Sequence, residues 1–150
     1  YPYLKELLMS GNYCADFSYL SNLTTLKSIE LNANGIKEVS FLSELTSLKE
    51  IYLSTNQITD ISPLANLTAL EKLYLSSNKI SEFTLDGLTS LRELDMKNNK
   101  LVSVTVIGML TSIDKLYLDH NRILDFTPIK GNSYSEVTAT DNSVQFTGVN

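Results

Sequence analysis

His120 is the only histidine of the chain, with Asp119 beside it, and Cys14 is the only cysteine. General-base chemistry needs a nucleophile and an orienting group around the imidazole, and no such set stands out among the many Ser and Thr residues. Asp119 and His120 lack a spaced third metal ligand, and no EF-hand spacing surrounds Asp141-Asn142. The expectation is therefore no enzyme, no metal and no cofactor. Recognition is the chemistry that the spacing favours. Tyr52, Tyr74 and Tyr117 recur at related positions, with Glu30 one repeat before Tyr52 and Asp95 between Tyr74 and Tyr117, and Lys97, Asp119 and His120 lie close by. Tyrosines in register give rigid amphipathic contact area of the kind enriched at binding hot spots.

What must position these residues is a repeat. Asn12, Asn34, Asn56, Asn78, Asn99, Asn121 and Asn142 are separated by 22, 22, 22, 21, 22 and 21 residues. Aligned on them, LKELLMSGN, LKSIELNAN, LKEIYLSTN, LEKLYLSSN, LRELDMKNN, IDKLYLDHN and YSEVTATDN fit LxxLxLxxN, with departures at the ends. That is the signature of a leucine-rich repeat. The fold expected is an α/β leucine-rich repeat solenoid, a curved right-handed coil with a concave parallel β-sheet and irregular or 3-10 convex returns. Each coil adds one short strand whose alternate side chains point in and out. In the third copy Ile51 and Leu53 point inward and Glu50, Tyr52 and Ser54 outward. Ile58, Ile61 and Leu64 complete the cross-section beneath a return that starts near Ser62-Pro63.

The asparagines form a structural ladder. Where the strand ends the chain turns inward and buries backbone N–H and C=O groups, which an Asn amide can satisfy with two donors and one acceptor. One repeat alone cannot offset its own ordering entropy, so neighbouring coils must supply the difference. The return FTLDGL (83–88) is one residue shorter than ISPLANL (61–67), so Asp86-Gly87 should make a tighter turn. After Pro128 the run IKGNSYSE is polar where a return should bury a Leu, and Thr147 stands at an apolar position, so the array should end there. Residues 1–146 are expected to form one repeat domain, with 147–150 starting a linker or following domain.

Four outward columns follow, starting at Glu6, Leu8, Ser10 and Gly11. Glu6, Ser28, Glu50, Lys72, Glu93, Lys115 and Glu136 alternate in sign over their last five members and should neutralise one another as a structural ladder. Leu8, Glu30, Tyr52, Tyr74, Asp95, Tyr117 and Thr138 carry the recognition candidates, although tyrosine's strand propensity is an alternative reason for its presence. Small residues at Ser10, Asn32, Ser54 and Ser76, then Lys97, Asn98, Asp119 and His120, suggest a groove with a polar edge. Cys14 falls in the column of Ile36, Ile58, Ile80, Leu101 and Ile123, as a small buried hydrophobe would.

Composition narrows the partners. With 12 basic and 17 acidic side chains the chain lacks the footprint of a nucleic-acid binder. A single cysteine closes no internal disulfide, and no apolar run is long enough to enter a membrane. The opening at Tyr1, partway into the pattern, reads as a fragment or mature segment.

In ITDISPLANLTAL (58–70) the repeat resembles those of internalins, surface leucine-rich proteins of Gram-positive bacteria. The likeness rests on the 22-residue period, NxIxDI after the strand and SPLANL in the return, and runs from about Leu4 to Val144. It implies an extracellular or cell-surface bacterial module, adhesion-like, monomeric, and binding a host or environmental protein or glycan through the concave face. The helical cap and immunoglobulin-like domain that usually flank internalin repeats are not visible in the sequence. The period also resembles that of a leucine-rich regulatory subunit of a eukaryotic phosphatase. Alternatives are thus an intracellular regulatory scaffold, or an accessory repeat domain of a larger enzyme or haem-uptake protein.

Overall fold

The computed structural model describes residues 1–146. Seven strands of three residues each, β1 (Glu6–Leu8), β2 (Ser28–Glu30), β3 (Glu50–Tyr52), β4 (Lys72–Tyr74), β5 (Glu93–Asp95), β6 (Lys115–Tyr117) and β7 (Glu136–Thr138), pair in chain order into one open parallel sheet. Register follows the repeat, so that Glu50, Ile51 and Tyr52 lie opposite Lys72, Leu73 and Tyr74. The chain is a leucine-rich repeat solenoid, one strand per coil.

Alternation along each strand builds the core. Ile51 and Leu53, with Ile58, Ile61 and Leu64 from the same coil, have no exposed surface, and their counterparts from Leu26 to Ile129 stack into one continuous apolar column. The returns are 3-10 turns at Ser18–Asn22, Ser40–Leu42, Ser62–Leu64 and Thr127–Ile129, whereas the fifth coil closes with a single α-helical turn, α1 (Thr105–Gly108). In the shortened fourth coil Asp86 and Gly87 form the tight turn expected of them. Glycine is needed at 87, because a Cβ there would stand 2.5 Å from the Ala65 carbonyl oxygen of the preceding return.

Asparagine amides stitch the coils together. Asn78 Nδ2 donates to the carbonyls of Leu53 and Leu75, each at 3.0 Å, and its Oδ1 accepts from the Ile58 N–H at 3.0 Å. Asn56, Asn99 and Asn121 repeat the pattern, so each amide bonds its own coil and the one before it. Asn12, exposed in the first coil, donates to the Met9 carbonyl.

Immediately before the ladder residue, the backbone turns through the left-handed region at Ala33, Thr55, Ser77, Asn98, His120 and Asp141, with φ between 52° and 59°. Gly11 occupies the same corner at φ 73°. L-residues resist this conformation, and β-branched Thr55 resists it most.

Two expectations need correction. The segment after Pro128 does bury an apolar return residue, Ile129, and Asn132 replaces the next one by donating its amide to the Gly108 carbonyl at 3.0 Å. The coil therefore closes through a side-chain hydrogen bond where the others use a leucine. Cys14 is half-buried, because only one coil packs beside it, unlike Ile36 and Ile58. At the far end Phe146 packs edge-on against Phe126, with ring centroids 4.7 Å apart. Thr147 and the linker expected at 147–150 lie outside the described residues.

Candidate functional site

Strand alternation places Glu30, Tyr52, Tyr74, Asp95 and Tyr117 in one row across the sheet face. Tyr52 and Tyr74 stack with centroids 4.8 Å apart and planes within 5°, the separation that neighbouring strands impose. Tyr117 stands alone one strand beyond Asp95, with Lys97 Nζ 5.2 Å from its ring centroid. A lysine at that distance makes a cation–π contact.

The tyrosine row and the charged row beside it are one unit. Tyr52 Oη donates to Glu50 Oε2 at 2.8 Å, and Tyr117 Oη to Glu136 Oε2 at 3.0 Å. Burial and the acceptor Glu50 push the Tyr52 phenol up to about 12, and burial with Glu136 does the same for Tyr117. Tyr74 is raised further, by burial and then by Glu93. All three tyrosines are therefore neutral donors at physiological pH. The expected charge ladder closes among the described residues as one ion pair, Lys72 Nζ to Glu50 Oε1 at 3.3 Å. Glu50 thus serves the ladder with one oxygen and Tyr52 with the other.

Asp95 sits lower than the sequence suggested. It is 8% exposed, and its carboxylate accepts from the Lys97 N–H at 3.0 Å and faces Lys97 Nζ at 3.6 Å. Burial raises its pKa against the opposing pull of Lys97. Asp95 therefore holds Lys97 in place over Tyr117, and Lys97 is the group that a ligand would meet.

Asp119 is likewise occupied. Its carboxylate accepts from the hydroxyls of Thr138 and Thr140 and from the Thr140 N–H at 2.8 Å. Burial pushes its pKa up, but these bonds outweigh burial and leave it below the ordinary value. His120 lies on the left-handed corner, with Nδ1 3.1 Å from Asp141 Oδ2. The His120 imidazole thus faces a carboxylate. Among the described residues no group of three or more His, Cys, Asp or Glu side chains could hold a metal ion.

Sequence reasoning missed three features. The left-handed corner was signalled by Gly11, Asn98 and Asp141, residue types that tolerate positive φ. The tyrosine–glutamate bonds were one step away, since Glu50 and Tyr52 share a face at i and i+2. The third is a turn that starts the return: Asp60 Oδ1 accepts from the Ser62 N–H at 2.8 Å and Oδ2 from its hydroxyl, Asp16–Ser18 does the same, and Asp125 Oδ1 accepts from the Thr127 N–H at 2.8 Å. Its signal is the recurring Asp-x-Ser/Thr.

These geometries define a leucine-rich repeat solenoid with an aromatic, hydrogen-bonded sheet face. Residues 46–88 match the family model for leucine rich repeats in two copies. An internalin, InlF, from Listeria monocytogenes aligns with TM-score 0.90 and 29% identity over 97% of this chain and 44% of its own. Internalin C2 from the same organism gives TM-score 0.87 and 34% identity over 91% of this chain and 62% of its own. The fold extends to a leucine-rich repeat protein of Leptospira interrogans, at TM-score 0.78 and 24% identity over 91% of this chain and 39% of that one. A search of curated proteins finds no match. The chain is an internalin-like leucine-rich repeat protein, and it spans roughly half the length of the internalins it matches.

Proposed function

We propose that this chain is the non-enzymatic, protein-binding module of a bacterial cell-surface or secreted protein, adhesion-like, which recognises a host or environmental macromolecule through its sheet face. The observation that carries this reading is the Tyr52–Tyr74 stack, with Lys97 and Tyr117 one and two strands further on. Two parallel rings fixed by strand spacing lose little entropy when a partner covers them, and each keeps a polar tip. Nothing in the row positions a nucleophile, so binding is the chemistry it supports. Similarity to Listeria internalins supports an extracellular setting, and the leucine-rich repeat fold supports a protein ligand. We take residues 1–146 as a single repeat domain.

The test immobilises the chain and presents extracellular proteins and cell-surface proteins. Retained protein should be lost on combining Tyr52→Ser with Tyr74→Ser. Retention unaffected by that variant would sink the assignment of this face. Surface proteolysis of the producing cells tests the location, and protection of the full-length protein inside them would reject it.

A further inference from the structure

The sheet face carries all of the chain's net charge. Its outward columns and the adjoining corners hold eight acidic side chains (Glu6, Glu30, Glu50, Glu93, Asp95, Asp119, Glu136, Asp141) against Lys72, Lys97 and Lys115. That difference is the −5 of the whole molecule, and the remaining nine acidic and nine basic side chains cancel. A face so polarised attracts cationic partners.

Within it, the protein displays how a cation is held. Asp95 on β5 lies between Tyr74 and Tyr117 of the flanking strands, and Lys97 fills the space above, 3.6 Å from Asp95 Oδ2 and 5.2 Å from the Tyr117 ring centroid. Glu30 holds the same register position on β2, between Tyr52 on β3 and Leu8 on β1. The residue matching Lys97 is Asn32, too short and neutral to fill the space. Glu30 Oε1 accepts from the Ser10 hydroxyl at 2.7 Å, which orients the carboxylate. Among the described residues no basic group lies within the 4.0 Å of an ion pair with Glu30. Leu8 is 63% exposed, so the wall opposite Tyr52 is apolar and uncovered. The two walls stand two strand spacings apart, roughly 10 Å, wide enough for an alkyl chain and its charged head.

We infer that Glu30, walled by Tyr52 and Leu8, seats a basic side chain of the protein partner, in the way Asp95 and Tyr117 seat Lys97. This rests on the sheet face being the binding surface. The cation replaces the missing internal lysine, its stem lies on Leu8, and its charge meets Glu30 against the outer face of Tyr52.

An acetylated tetra-arginine amide, titrated into the isotope-labelled chain at low salt, is the probe. Amide shifts should be largest in β2 and β3, and Glu30→Gln should weaken binding about three- to tenfold. Gln keeps an oxygen for the Ser10 hydroxyl, so its spectrum should otherwise match wild type. Glu71→Gln makes the same charge change at the outer edge, beside Lys49, and should weaken binding by less than about twofold. The peptide with citrulline in place of arginine should give no saturable shifts. Equal effects of the two Gln variants, or equal binding of the citrulline peptide, would overturn the inference. Tyr52→Ser with Tyr74→Ser separates the two readings: weakened binding there with none in Glu30→Gln removes only the Glu30 seat. Binding indifferent to all three substitutions removes the sheet-face reading as well.

Discussion

Tyr52 and Tyr74 lie ring over ring, 4.8 Å apart and 5° from parallel, so the backbone spacing of β3 and β4 is copied by the side chains above it. An aromatic pair of this geometry contributes about 0.5–1.5 kcal/mol beyond its buried area. A double-mutant cycle with Tyr52→Ser and Tyr74→Ser should return a coupling in that range, and a melting point for the double variant only a few degrees low. Zero coupling in urea melts would mean that the rings do not interact.

Removing a ladder amide tests the stitching between coils. Asn78→Ala leaves the Ile58 N–H without its acceptor and removes one of the two amide donors to each of the Leu53 and Leu75 carbonyls, which keep Asn56 and Asn99. The expected loss is about 1–3 kcal/mol. Asn78→Asp should be no better, because a carboxylate lacks the two donors. Asn12→Ala in the exposed first coil should cost under about 1 kcal/mol, since the groups freed there can reach water. Urea melts that rank Asn12 above Asn78 would reject this account.

The coil and its register were legible because apolar spacing and the asparagine interval are enforced by burial. Ile51, Leu53 and Asn56 have one physical solution each. Surface positions are less constrained. The sequence places Asp95 and Tyr52 in the same outward row, yet a short side chain sinks to the sheet and takes Lys97 with it, whereas a long one stands up and bonds Glu50. Cys14 and Ile36 share a column, and only the number of coils packed beside each separates them. Side-chain length and neighbour count, more than residue type, decided what the pattern could not.

Thr55 occupies the left-handed corner at φ 59° with a branched Cβ. Thr55→Gly should stabilise the chain by up to about 1 kcal/mol, the relief of corner strain less the added freedom of the unfolded chain. Asn98 stands at the equivalent corner and already tolerates it, so Asn98→Gly should change stability by less. Thermal melts with both glycines destabilising equally would show that the corner is not strained.

Gly87 approaches the Ala65 carbonyl more closely than any Cβ allows. Gly87→Ala should force the fourth return off the third and cost about 1–3 kcal/mol. Gly131 has open space where a Cβ would go, so Gly131→Ala serves as the comparison and should not show that loss. Matching melts for the two variants would reject the close approach.

Acid should destabilise the chain through the returns. Asp16, Asp60 and Asp125 each accept hydrogen bonds from the Ser or Thr two residues on, and those bonds hold each carboxyl below its ordinary value. A pKa depressed in the folded state contributes stability that is fully present above the unfolded value, and it is lost as pH falls through the folded one. Asp95 has the opposite sign, raised by burial, so its own contribution increases as it protonates. The three turn aspartates outnumber it, and melting temperature should fall from roughly pH 5 towards pH 2. Replacing all three by Asn keeps an oxygen for each backbone N–H but removes the titration, so the acid limb should become shallower. An acid limb of unchanged steepness would place the proton uptake elsewhere. Restoring one aspartate at a time would apportion the effect among the first, third and sixth returns.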